Sequence, residues 1–264
     1  MDTLSLLREG ELSIEGRLTV ASNLTLRGHV THGDHVVRCV YKPVSGEQPL
    51  WDFPAGTLAR REVAAYEVAE AVGWRHVPPT VLREQGPFGP GMCQEWIDER
   101  DTVSASVDVV APADVEPGWL VVLEAVDQSG SPVLLAHADT PQLRRLALFD
   151  VVVNNADRKG GHVLAAPDDA GAAAVFGVDH GICFHPDPKL RTVLWGWSGE
   201  EITASERADL LYLRDALQRD LGHSLAGLLS ATEVAATSAR VDELLTAGRF
   251  PHPTGRMPVP WPVF

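Results

Sequence analysis

Apolar positions change period several times along this chain, and each change marks an element. Leu24 to Val30 and Val36 to Tyr41 are apolar, β-branched runs separated by Thr31-His32-Gly33-Asp34. They predict a β-hairpin whose second strand ends in Lys42-Pro43. From Leu58 to Val72 the spacing is helical, and Gly73 stands where a left-handed cap closes such a helix. Asp98 to Gly130 is acidic and contains proline, which predicts an irregular connection. Leu143 to Val152 predicts a helix running into the segment Asn154 to Leu164, and Ala173 to Val178 a short strand leading to Asp179. Thr203 to Ala247 is mostly helical, with Leu210, Leu213 and Leu217 on one face. The tail from Phe250 to Phe264 carries five prolines and predicts extended chain. A β-rich first half with one helix, an acidic connector and a helical second half with short strands make an α+β plan in two lobes.

Composition narrows what such a plan can do. The 264 residues are 45% apolar, enough for a sizeable core, and the formal charge of −14 repels nucleic acid and anionic membrane. Cys39, Cys93 and Cys183 are far apart, without a CxxC pair, and read as reduced core thiols. The start, Met1 to Glu9, is short and acidic and is not a secretory leader. No apolar run reaches membrane-spanning length. A cytoplasmic, soluble protein is expected, with no nucleic-acid partner and no membrane contact. Neither GxGxxG nor a Walker-type GxxxxGK[ST] occurs, which disfavours a dinucleotide enzyme and a P-loop NTPase.

Four residues carry chemistry in an order that suits phosphoryl transfer, which needs a lysine on phosphates, an acid to orient it, a carboxylate for metal and a group near the incoming hydroxyl. Lys42 ends an apolar strand, from which its amine can reach a cleft. On the following helix Glu62 shares a face with Ala65, Tyr66 and Ala69, whereas Glu67 lies far round. A carboxylate on a small-residue face wants a partner. Asp157 follows a buried-looking segment beside Arg158, whose charge favours the ionised carboxylate. An Asp-Arg pair by itself is an ordinary surface ion pair. Asp179 adds weight, because an acid at the end of the run Val175-Phe176-Gly177-Val178 is expensive unless it meets a cation or a donor. His29, His32 and His35 cluster at the hairpin and read as a solvated turn, and Trp195 and Trp197 read as packing residues.

These blocks resemble, in order, those of the phosphatidylinositol 3/4-kinase superfamily, closest to bacterial relatives of the type II phosphatidylinositol 4-kinases. Val40-Tyr41-Lys42-Pro43 with Glu47-Gln48-Pro49 is similar to its phosphate-lysine strand. Glu62-Val63-Ala64-Ala65-Tyr66 with Val77-Pro78-Pro79-Thr80 is similar to its helix and next strand. Asn155-Ala156-Asp157-Arg158 resembles its catalytic loop, and Val178-Asp179-His180-Gly181-Ile182-Cys183-Phe184 its metal-binding segment.

The resemblance covers about residues 20 to 200. It implies a bilobal protein-kinase-like fold with a β-rich N-lobe over residues 1–97 and a mainly helical C-lobe over 98–264, with ATP and Mg2+ or Mn2+ in the cleft. It implies Lys42, Asp157 and Arg158 as catalytic residues, and Lys42 and Glu62 on the nucleotide. Ser22, Asn23 and Leu24 would fall in a phosphate-covering loop, Gln94, Glu95, Trp96 and Ile97 in an adenine hinge, and Asp179 and His162 on metal. His162 departs from the family, standing where an asparagine is usual; imidazole ligates divalent ions, although magnesium prefers oxygen. With no cysteine-rich, basic or aromatic membrane insertion evident, the expected hydroxyl acceptor is a soluble protein or small molecule rather than an inositol lipid. The alternative is a nucleotide-binding pseudokinase or regulatory module, and a third reading is a soluble binding protein in which these acids are structural.

Overall fold

Helix α1 (Thr3–Glu9) opens the chain, capped by the Asp2 side chain on the Ser5 amide, and strand β1 (Glu11–Arg17) follows. These positions come from a computed structural model that describes residues 1–19, 21–99, 106–167, 171 and 173–264. The predicted hairpin forms between β2 (Leu26–His32) and β3 (His35–Pro43), in register from His32 opposite His35 to Leu26 opposite Tyr41. Gly33 takes φ 58, as a two-residue hairpin turn requires. With β4 (Thr80–Arg83) and β5 (Gly91–Glu95) the strands make an antiparallel sheet in the order β1-β2-β3-β5-β4. Leu6 and Leu7 of α1 pack under this sheet against Val30, Cys39, Val81 and Cys93. Arg83 ties α1 down by donating to the carbonyls of Leu7 and Gly10.

Helix α2 (Leu58–Val72) matches its predicted span, and Gly73 caps it at φ 72. Its first turn is held by Glu47, whose two oxygens accept the amides of Leu58 (3.1 Å) and Ala59 (2.9 Å). The face of Ala64, Ala65, Val68 and Ala69 lies in the main core, beside residues of the second half of the chain.

The acidic stretch expected to be irregular instead holds β6 (Val107–Val110) and β7 (Trp119–Val126), which flank β8 (Pro132–Ala138) in the order β6-β8-β7. This sheet turns one side to water: Val121, Leu123 and Val126 of β7 are exposed. Strand β7 carries apolar residues on its wet side as well, and its register shifts between Val121 and Leu123, so the run from Trp119 to Leu123 lacks the alternation that announces a half-buried strand. Residues 100–105 of that stretch lie outside the described residues.

Helix α3 (Pro141–Val153) is capped by Thr140 and closed by Asn154 at φ 53. Strands β9 (Val163–Pro167) and β10 (Ala173–Gly177) pair antiparallel, and α4 (Ala204–Leu217), α5 (Asp220–Ala226) and α6 (Ala231–Ala247) complete the helical part. Leu210, Leu213 and Leu217 are buried with Leu146, Phe149, Val241 and Leu244. The three cysteines are free and buried. Trp195 and Trp197 pack as expected, their indoles donating to the Pro258 carbonyl (2.8 Å) and Asp139 (2.9 Å). Among the described residues, no helix is long and apolar enough to cross a membrane.

Candidate active site

The end of β3, the first turns of α2 and the segment after β10 converge on Lys42. Its Nζ lies 2.6 Å from Glu62 Oε1 and 2.8 Å from Asp179 Oδ1. The other Glu62 oxygen accepts the His180 amide at 2.8 Å, so this buried carboxylate links α2 to the segment that carries Asp179. Burial by itself would lower the Lys42 pKa, but the Asp179 and Glu62 carboxylates outweigh it and hold the ammonium above the ordinary lysine value. Lys42 in turn holds Asp179 well below the usual carboxylate range. Burial pushes Glu62 up, against the pull of Lys42. Asp179 has φ 61, a left-handed backbone that few residues other than glycine adopt.

His162 approaches Asp179 from the other side, with Nε2 3.4 Å from Oδ2. Its Nδ1 is 2.9 Å from the Asp157 carbonyl, which can only accept, so Nδ1 carries the proton and Nε2 presents a lone pair to Asp179. Burial drives the ring to about 4, leaving it neutral at neutral pH. Two acceptor atoms therefore face each other with no proton between them, an arrangement that fits a cation. Among the described residues no group of three or more His, Cys, Asp or Glu gathers to hold a metal. A divalent ion on Asp179 and His162 would take its remaining ligands from phosphate and water, as magnesium sites on nucleotides do.

Asp157 is half-buried, with Lys159 Nζ 3.5 Å from its Oδ2 and its own amide donating to Asn155 Oδ1 at 3.0 Å. Burial raises its pKa, against Lys159 and Arg191, which moves the group toward the range useful to a general base. Arg158 does not serve it. The Arg158 side chain is fully buried, bonded to Asp150 through Nε (3.0 Å to Oδ2) and Nη2 (2.9 Å to Oδ1). It also donates to the carbonyls of His162 (3.1 Å) and Val178 (2.9 Å) and meets His180 Nε2 at 2.7 Å. Arg158 thus does not lie beside the Asp157 carboxylate as expected: it fastens the Asp157 loop to the Asp179 segment from below. Consecutive residues of extended chain point to opposite sides, and the buried Asp150 offers a forked partner inside.

A small, solvent-open cavity of about 20 Å³ adjoins Lys42, Glu62 and Asp179 and is bordered by Asn23, Leu24, Glu47 and Gly181. Asn23 therefore reaches the site, although its Oδ1 already accepts the Gln48 amide at 2.7 Å. Ser22 is exposed and does not border the cavity. The expected hinge residues Gln94, Glu95, Trp96 and Ile97 do not border it either. Gln94 is buried and donates to Thr80 Oγ1 at 2.8 Å, the Glu95 amide donates to the Pro79 carbonyl at 2.9 Å, and the Trp96 indole donates to Asp98 at 3.1 Å. Glu47, Asp150 and His180 belong to the site's framework without having been singled out. Asp150 had a legible signal, a lone acid in the run Leu146-Ala147-Leu148-Phe149-Asp150-Val151-Val152.

The chain has a kinase-like α+β fold: it is similar to the solved structures of hydra Fam20 with sugar and of the Golgi casein kinase. The first matches at TM-score 0.52 and 13% identity over 92% of this chain and 86% of that one, the second at TM-score 0.54 and 12% identity over 92% and 74%. At these identities the likeness is one of fold alone. The chain belongs to the family of Protein Rv2133c of Mycobacterium tuberculosis, to which it is 46% identical over 271 residues that span 100% of this chain and 96% of that protein. No family model matches the chain. The comparisons do not confirm the phosphatidylinositol 3/4-kinase superfamily, the resemblance to which is one of motif blocks alone.

Proposed function

We propose that this protein is an ATP-dependent phosphotransferase, distantly related to the phosphatidylinositol 3/4-kinases, that transfers a γ-phosphoryl group to the hydroxyl of a soluble protein or small molecule. The observation that carries this reading is the meeting of Lys42, Glu62 and Asp179 from three separate segments at one cavity inside a kinase-like fold. Lobes meeting near residues 97–98 would enclose the nucleotide.

In this reading Lys42, steered by Glu62, binds phosphate oxygens and neutralises their charge. Asp179 and His162 hold a divalent ion, Mg2+ or Mn2+, which when bound shields the phosphates and withdraws charge from the γ-phosphoryl group. Asp157 orients the acceptor hydroxyl. As its oxygen bonds the γ-phosphorus and the bond to ADP breaks, the proton passes to Asp157. Arg158, paired with Asp150, keeps the Asp157 loop and the Asp179 segment at fixed separation. Buried, free thiols suit a cytoplasmic setting.

Incubation with labelled ATP and magnesium or manganese, alone and with cell lysate, tests the proposal. Label is expected to pass to a protein or metabolite with the wild type and not with Asp179→Ala. Transfer at the same rate in a folded Asp179→Ala would remove Asp179 from the mechanism. A second reading draws on one observation, that Asp179 is already paired with Lys42: a nucleotide-binding regulatory module. It predicts thermal stabilisation by ATP with no transfer to any acceptor.

A further inference from the structure

Main-chain pairing around Asp157 settles which neighbours share its side of the loop. Residues 155–158 run beside 191–193: Arg191 N–H donates to the Asn155 carbonyl (2.9 Å), Arg158 N–H to the Arg191 carbonyl (3.0 Å), and Val193 N–H to the Arg158 carbonyl (3.0 Å), with Arg158 opposite Thr192 in a parallel bridge. Side chains alternate across extended chain. Arg158 and Thr192 both turn inward, and both bond Asp150, Thr192 through its hydroxyl at 3.3 Å. Asp157 and Arg191 therefore turn outward together.

Arg191 is exposed, and no ion pair to an acid is found for it among the described residues. Lys159, two residues beyond Asp157, lies on the same side with its Nζ 3.5 Å from the Asp157 carboxylate. Gly160, the next residue, turns to the buried side with Arg158 and is covered by the tail, its N–H donating to the Val263 carbonyl at 2.7 Å. The Phe264 ring covers Gly160 so closely that a Cβ there would fall 2.2 Å from the ring, yet Phe264 keeps half its surface exposed. In a chain of net charge −14, the outward face beside Asp157 thus carries two cations, Lys159 and Arg191.

We propose that Arg191, with Lys159, forms an acceptor subsite for a hydroxyl compound that also bears an anionic group, phosphate or carboxylate. This rests on the kinase reading of Asp157 and Asp179 and adds to it the class of acceptor. A guanidinium grips either anion through two parallel hydrogen bonds, so the anion fixes the molecule while the hydroxyl is left to Asp157. A neutral polyol would leave Arg191 unanswered.

Calorimetric titration with inorganic phosphate tests the subsite, carried out on the full chain already saturated with a non-hydrolysable ATP analogue and Mn2+. Saturation closes the nucleotide's own phosphate positions to the probe. Wild type is expected to bind phosphate, Arg191→Ala to bind it at least ~10-fold more weakly, the loss of one charge-assisted contact, and Arg191→Lys to fall between. A phosphorylated polyol and a serine peptide flanked by aspartates, titrated in separate arms, identify the anion's source. Phosphate binding equal in wild type and Arg191→Ala, or absent from both, would overturn the subsite while leaving the kinase reading intact. An equal loss of analogue affinity in Arg191→Ala would overturn it too, by placing Arg191 in the nucleotide cleft. Failure of the wild type to bind the analogue would remove the kinase reading and this inference with it.

Discussion

His76 gives the structure a measurable sensitivity to acid. The ring is buried between Trp74, stacked at 5.6 Å, and Phe149, met edge-on at 4.6 Å, and neither ring nitrogen has a hydrogen-bond partner. Burial, reinforced by the positive charges of Arg158 and Arg145, lowers its pKa from an ordinary 6.5 to about 3. Above pH 6.5 the ring is neutral in both folded and unfolded chains and contributes nothing to pH dependence. Below it the unfolded chain takes up a proton that the native state refuses, so stability falls as pH drops from 6.5 toward 3. At about pH 5 the His76 share is ~2 kcal/mol, and it is bounded near ~5 kcal/mol by the full shift at 1.36 kcal/mol per pH unit. Replacement by phenylalanine removes the titrating group, keeps an aromatic ring in a slot lined by aromatic rings and breaks no hydrogen bond. His76→Phe should therefore lie within ~1.5 kcal/mol of wild type at about pH 7.5. Measured against that baseline, it should gain ~2 kcal/mol on wild type at about pH 5. Urea unfolding at a series of pH values reads this difference directly. His162 and His180 are also depressed by burial and add to the acid slope of both proteins, so only the difference isolates His76. Parallel stability curves for the two proteins would refute the reasoning.

Two further perturbations probe the framework of the site. Arg158→Met strands the fully buried Asp150 carboxylate and should cost ~3–5 kcal/mol in denaturant unfolding, while the double variant Asp150→Leu/Arg158→Met should recover part of that loss; a double variant no better than the single would contradict the pairing. Gly160→Ala drives a methyl into the Phe264 ring and should cost ~1–3 kcal/mol, relieved when Phe264→Ala is added, so the two changes should show strong coupling in a double-mutant cycle.

Where period and punctuation agree, the sequence was easily read. The β2–β3 hairpin and the span of α2 up to Gly73 follow from alternation, helical spacing and a left-handed cap. Helix α1 was read only for targeting signals, because its two buried leucines, Leu6 and Leu7, are too few to announce a period. Strands β6 and β7 were hidden because β6 has only four residues and β7 is apolar on both sides, without alternation. Within the site, the approach of Lys42 to Glu62 was legible from a strand end and a helix face. The inward turn of Arg158 was not, since it is set by main-chain pairing with residues 191–193, far along the chain. The hinge expectation for Gln94 to Ile97 follows from the family resemblance alone, and the Gln94 side chain bonds Thr80 within the sheet.

The central claim, that Lys42, Glu62 and Asp179 bind metal-loaded ATP, is tested most directly by calorimetric titration of ATP in the presence of Mn2+ into wild type and Asp179→Asn. Removing the charge while keeping the shape should weaken metal-dependent ATP binding by at least ~10-fold, about 1.4 kcal/mol, with the folded state retained. ATP binding of equal strength in both proteins, or of equal strength with and without metal, would contradict the account.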